Sequence, residues 1–123
     1  MATVKDFAVT LTPEQAASAI IDIVTRDERL VPALQSPPGV LLDNHRIDFP
    51  SGTVITLIFA KYYARVGSWL TLVAVVSDLL GGTAVHLSTG GHKRWLSGPN
   101  TDLGASAAFI GMVEEALAGH LVD

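Results

Sequence analysis

Between Val40 and Thr89 the chain carries four apolar runs of strand length, broken at Pro50-Ser51-Gly52, Gly67-Ser68 and Gly81-Gly82, with a helix-like segment on either side. Strands that follow one another through tight turns must pair antiparallel, because a parallel partner needs a long crossover. The spacing predicts strands over Val40–Phe49, Thr53–Val66, Trp69–Leu79 and Thr83–Thr89. Gly67-Ser68 reads as a two-residue turn of the II′ kind. This order dictates an architecture. It does not dictate a reaction.

The flanks complete the pattern. Thr3–Leu11 alternates, with Phe7, Val9 and Leu11 on one side and Asp6, Ala8 and Thr10 on the other, the mark of a half-buried strand. Thr12-Pro13-Glu14-Gln15 then begins a helix: Thr12 caps free amides, Pro13 suits the first turn and Gln15 completes a capping box. Ala16, Ile20, Ile23 and Val24 recur at helical spacing, and the helix is expected to end near Arg26. Arg29–Leu34 is read as a further short turn and 35–39 as a loop rich in Pro and Gly. After an irregular stretch over 90–100, a last helix is expected from Thr101 or Asp102 to Gly119. Its core stripe is Leu103, Ala107, Ile110, Val113 and Leu117. Gly104, Ala108 and Gly111 form a neighbouring strip that invites close packing, which offsets the cost of a mid-helix Gly. The sum is one α+β domain over 1–123, β-α-β-β-β-β-α, a curved antiparallel sheet packed against two helices. In topology it resembles the TATA-binding-protein-like architecture and, more loosely, the helix-grip fold.

The middle strands are apolar on both faces. Trp69, Val73 and Val75 point one way, and Leu70, Leu72, Ala74 and Val76 the other. A sheet with one solvated face alternates apolar and polar, so something must cover the second face. Three coverings are open: curvature and long loops, a homodimer that stacks sheets or extends one across an edge, or an apolar ligand cavity between sheet and last helix. The homodimer is the leading one. A carrier would show a cavity of several hundred Å³ lined by Phe59, Trp69 and Phe109. An interaction module would show a filled core and a flat apolar patch.

Composition narrows the classes further. Apolar residues make up 49% of the chain and charged ones 16%, yet the runs Thr53–Ala60 and Trp69–Leu80 fall short of the ~20 residues of a membrane span. The first residues lack the basic and apolar regions of a signal peptide. The expectation is a cytoplasmic protein with no membrane partner. Net charge is −4 with scattered cations, so nucleic acid is not expected as a partner. The absence of Cys removes thiolate metal sites and a Cys nucleophile.

Three constellations remain as candidate ligand sites. Lys61, Tyr63 and Arg65 follow Ile55, Leu57 and Phe59 on one side of their strand, two cations around a phenol suited to a carboxylate or phosphate. Against this, such a row is commonly the solvated end of a strand leaving the core. Gly90 and Gly91 precede His92 in a turn whose amides can hold an anion, although a Gly pair also lets a chain leave a sheet. It is no Walker loop. His86 sits between Val85 and Leu87 and is read as lying on a sheet face with a hydrogen-bonded partner. A catalyst built on His86 or His92 needs a carboxylate within hydrogen-bond reach. His45, His86, His92 and His120 lack metal-site spacing, so no metal and no cofactor is expected. No Gly-x-Ser-x-Gly elbow occurs. Whether any reaction is catalysed stays open.

Lys61-Tyr62-Tyr63-Ala64-Arg65-Val66-Gly67-Ser68, with Val85-His86, Gly90-Gly91 and Leu103-Gly104-Ala105 leading to Phe109 and Ala116-Leu117, resembles a family of short bacterial proteins catalogued as a domain of unknown function. The resemblance covers about residues 53 to 118, and its most specific piece is the Tyr-Tyr-x-Arg-x-Gly-Ser hairpin. Members carry a longer Gly run where this chain has His92-Lys93-Arg94-Trp95. The resemblance implies a bacterial domain and supplies no catalytic residue. The expected function is a small binding or interaction module acting as a homodimer, with a possible anionic or apolar small ligand. The alternative is a helix-grip-like carrier or small enzyme with a cavity between sheet and C-terminal helix.

Overall fold

Thr12 starts the first helix through its hydroxyl. A computed structural model describes residues 3–26, 37–63, 67–91 and 105–122 of the chain. In it the Thr12 hydroxyl accepts from the Gln15 amide at 3.2 Å, and the Gln15 side chain accepts from the Thr12 amide at 3.0 Å. Two otherwise orphaned donors are satisfied at once. Helix α1 follows as Pro13–Thr25 and buries Ala16, Ala17, Ile20 and Val24.

Five strands form one antiparallel sheet: β1 (Thr3–Val9), β2 (Val40–Phe49), β3 (Gly52–Tyr63), β4 (Ser68–Ser77) and β5 (Thr83–Gly91). The spatial order is β1-β5-β4-β3-β2, so the first strand closes the side of the meander away from β2. The second helix, α2 (Ala105–Leu117), runs into a short 3₁₀ turn, Ala118–His120. The chain then returns to β1, where the Thr10 amide donates to the His120 carbonyl at 2.7 Å and the Val122 amide to the Ala8 carbonyl at 2.9 Å. Among the described residues no helix is long and apolar enough to cross a membrane.

Both helices lie on one face of the sheet. Leu57 and Phe59 of β3, Leu70 and Leu72 of β4 and Leu87 of β5 pack there against Ile20, Phe109, Val113 and Leu117, all of them buried. Each such side chain contributes about 1.5–3 kcal/mol relative to leaving it in water. The fold is held on this side.

Pro50-Ser51 joins β2 to β3 through the pair Phe49 and Gly52. Gly52 takes φ +152°, and a Cβ there would collide with the Asp78 carboxylate. That carboxylate accepts from the Thr53 amide at 2.7 Å, tying this turn to the β4–β5 connection.

Several expectations are corrected. Ser68 pairs with Tyr63, so it is a strand residue and the β3–β4 connection is not the two-residue Gly67-Ser68 turn. The described ladder ends at that pair, next to the outward pair Tyr62 and Trp69, whose rings meet edge-on at 5.7 Å. Ala107 is exposed, because the buried stripe of α2 runs through Ser106, Phe109, Ile110 and Val113 instead. Among the described residues nothing lies within 4 Å of a Cβ placed on Gly111, so none of them makes the expected close approach there. Arg29–Leu34, the loop over 92–100, Leu103 and Gly104 lie outside the described residues.

Candidate functional site

Lys61 and Tyr63 continue the inward row of β3 past Phe59, and the row does not leave the core. Lys61 is 3% exposed. Its ammonium donates to the Pro37 carbonyl at 2.7 Å and stands 5.5 Å from the Tyr63 ring centroid. The carbonyl and the ring face offset the cost of removing that charge from water. Tyr63 packs on Phe109 of α2 with ring centroids 5.7 Å apart. The expectation of a solvated recognition row is therefore corrected for these two residues, because α2 and the chain at Pro37 cover them. Arg65 lies outside the described residues. Thr89 and Ser106 are also buried, and the Ser106 hydroxyl has no hydrogen-bond partner among the described residues.

β5 alternates in the same way. Val85, Leu87 and Thr89 are buried, so His86 faces outward, where its Nδ1 lies 2.6 Å from the Asp6 carboxylate on β1. This is the carboxylate that a His-based acid–base site requires. Both side chains are open to water, an environment in which such a pair contributes at most about 1 kcal/mol. Gly90 and Gly91 are not turn residues, for β5 continues through them, paired with Thr71 and Leu70. His92 lies outside the described residues. Lys61 and Tyr63 thus sit inside while His86 sits on the opposite face, and the predicted residues do not converge. Among the described residues no three His, Asp or Glu side chains gather as a metal site would require.

The feature that sequence reasoning missed is β2. Its register with β3 places Asn44 beside Leu57 and Arg46 beside Ile55, on the helix side. Arg46 confirms this by pairing with Glu14 of α1 at 2.7 Å and with Asp48 at 3.1 Å. The Asp48 hydrogen bond and the two carboxylates raise the Arg46 pKa above its ordinary value. The Thr53 hydroxyl and Arg46 hold the Asp48 carboxyl below its own. Ile47 and Phe49, of opposite parity, face away from both helices and stay 42% and 47% exposed. The strand is amphipathic in the wrong sense for its own domain.

Those side chains join a larger surface. Val54 and Ile58 of β3 and Val73 and Val75 of β4 point to the same outer face, with Trp69 at one end, 52% exposed. The described residues leave this face uncovered. The expected cavity lined jointly by Phe59, Trp69 and Phe109 is excluded, since Trp69 faces away from the other two. The alternation of Asn44, Arg46 and Asp48 with His45, Ile47 and Phe49 was legible in the sequence, but which set faced the helices was not.

Two open grooves flank the sheet. One of about 430 Å³ lies between β1 and α2, lined by Lys5, Phe7, Glu114, Glu115, Ala118 and Leu121. The other, about 280 Å³, lies between α1 and β2 where Arg46 and Asn44 face Glu14 and Ser18.

No family model and no curated protein matches the chain. Among solved structures it is similar to the crystal structure of Ara h 8.0201, with a TM-score of 0.51 and 10% identity over 97% of this chain and 98% of that chain. At that identity the likeness is one of fold alone: an antiparallel sheet gripped by helices, the helix-grip class.

Proposed function

We propose that the chain is a small interaction module that works as a homo-oligomer, its order of elements being a TATA-binding-protein-like variant of the gripped sheet. The observation that carries this reading is β2, which turns Ile47 and Phe49 away from the core that the described residues form. An apolar surface of this extent on a soluble domain is usually an interaction site. Light scattering on the purified protein tests it. The expected result is a mass of at least two chains at micromolar concentration, and a clean monomer there would overturn the reading.

A second reading is a carrier of a small ligand between sheet and α2. It is favoured by the helix-grip likeness and by the unsatisfied, 2% exposed Ser106 hydroxyl on the face of α2 that packs on the sheet. Buried polar atoms without a partner are uncommon and call for an explanation. Titration with an apolar dye carrying a sulfonate checks this reading. Saturable binding lost in Ser106→Leu supports a carrier, and binding unchanged in that variant counts against it.

A further inference from the structure

We infer that two subunits stack the outer faces of their sheets against each other, about a twofold axis lying between the sheets, to give a helix–sheet–sheet–helix sandwich. The inference rests on the homo-oligomer reading and names the surface and the arrangement.

Two arrangements compete, face stacking and extension of the sheet across an edge. Both edges are poor templates. At the β2 edge the register slips between Leu41 and Asp43, a bulge that interrupts the ladder. Charged Arg46 and Asp48 follow it. At the β1 edge the Ala8 carbonyl and Thr10 amide are already occupied by the returning chain at Val122 and His120. What remains there carries Lys5 and Asp6. Bulges, charges and covered edges are the devices by which sheets avoid edge pairing.

The outer face has the opposite character. Its centre is formed by Val54, Thr56 and Ile58 of β3 and Val73 and Val75 of β4, apolar but for Thr56, and is extended by Ile47 and Phe49 of β2. Its titratable groups stand toward the margins, Asp6 and His86 on one side and Asp43 and His45 on the other. An apolar centre with a polar rim is the anatomy of a protein interface. Five strands about 4.8 Å apart, from 7 to 12 residues long at about 3.3 Å per residue, span a plane of roughly 750 Å². Its corrugated accessible area is larger and approaches the roughly 800 Å² that each partner of a standard interface buries. A second copy is the fitting occupant because the same face is then both surface and cover, as an isologous twofold contact requires.

The experiment uses two variants of the full chain and exploits its lack of cysteine. Val73→Lys puts an ammonium in the middle of the face. It is expected to give a folded monomer by circular dichroism and light scattering, and a folded variant that stays oligomeric would overturn the stacking. Should Val73→Lys fail to fold, introduced thiols decide. Thr71→Cys lies on the outer face and Ser18→Cys on the exposed side of α1. Maleimide labelling at Thr71→Cys is expected to slow about fivefold relative to Ser18→Cys when the chain is at about ten times the dimer Kd. Equal labelling rates in a protein that scatters as a dimer would overturn the stacking and leave the homo-oligomer standing. A monomer at every concentration would overturn both.

Discussion

β4 and β2 are comparable in length and both contain apolar alternation, yet the structure uses them in opposite ways. β4 turns Leu70, Leu72, Ala74 and Val76 onto the helices, and each is at most 2% exposed. β2 turns Asn44 and Arg46 to that side and keeps Ile47 and Phe49 on the other. The difference is one of position in the sheet. β4 is central and lies under both helices, whereas β2 is an edge strand met on the helix side by Glu14, Ala17, Ser18 and Ile21 across an open groove. A strand's apolar face therefore reports where cover is, and for β2 that cover is not among the described residues.

The sharpest way to break this comparison is to remove one ring from each side. Phe59→Ala empties a fully buried site and is expected to cost about 3–5 kcal/mol of unfolding free energy, enough to threaten the fold. Phe49→Ala, at a protein concentration low enough to be monomeric, is expected to change stability by no more than about 0.5 kcal/mol. Urea denaturation reads both. Similar losses would mean that Phe49 is buried within its own subunit, against the contrast drawn above.

Two glycines sharpen the contrast between a place where space is used and one where it is not. Gly52→Ala strains a backbone at φ +152° and drives a methyl into the Asp78 carboxylate that holds the Thr53 amide. The expected loss is about 1–3 kcal/mol. Gly111→Ala adds a methyl on α2 where none of the described residues stands within 4 Å. A gain of up to about 1 kcal/mol in stability is expected from the helix propensity of Ala. A loss at Gly111 in the thermal melt would show that the face of α2 carrying it is an interface after all.

Much of the framework was readable because it is written in local chemistry. Thr12 and Gln15 announce a capping box that forms, and Val40–Phe49 was delimited by Gly39 and Pro50 as the structure has it. Turn lengths were less legible. The Gly67-Ser68 pair looks like a complete turn, but the antiparallel register with β3, a property of two strands together, makes Ser68 part of the ladder. The candidate site failed for the same kind of reason. Lys61 reads as a residue leaving the core, and only the third dimension supplies the Pro37 carbonyl that lets it stay and the Phe109 ring that covers Tyr63 beside it. His86 was placed on a sheet face with a partner, but that the face is the outer one and the partner Asp6 follows from β1 lying beside β5.

The smallest expected effect lies on the polar side of β2. Asp48 accepts from the Thr53 hydroxyl at 2.8 Å and from Arg46 at 3.1 Å. Both contacts favour the carboxylate, and its pKa falls below the ordinary 3.8. A depressed carboxylate stabilises the folded state at pH values above its unfolded pKa, and the contribution fades as pH drops through the lower, folded value. The stability of the native protein is therefore expected to decline slightly more steeply below pH 3.8 than that of Asp48→Asn, with the two curves running parallel above pH 5. Arg46 stays charged throughout that range and so adds no titration of its own to the difference. Because the groups are exposed, added salt should shrink the difference between the curves. A salt-insensitive difference would place this cluster in a drier setting than an edge strand offers, and would extend the covered region of the sheet to β2.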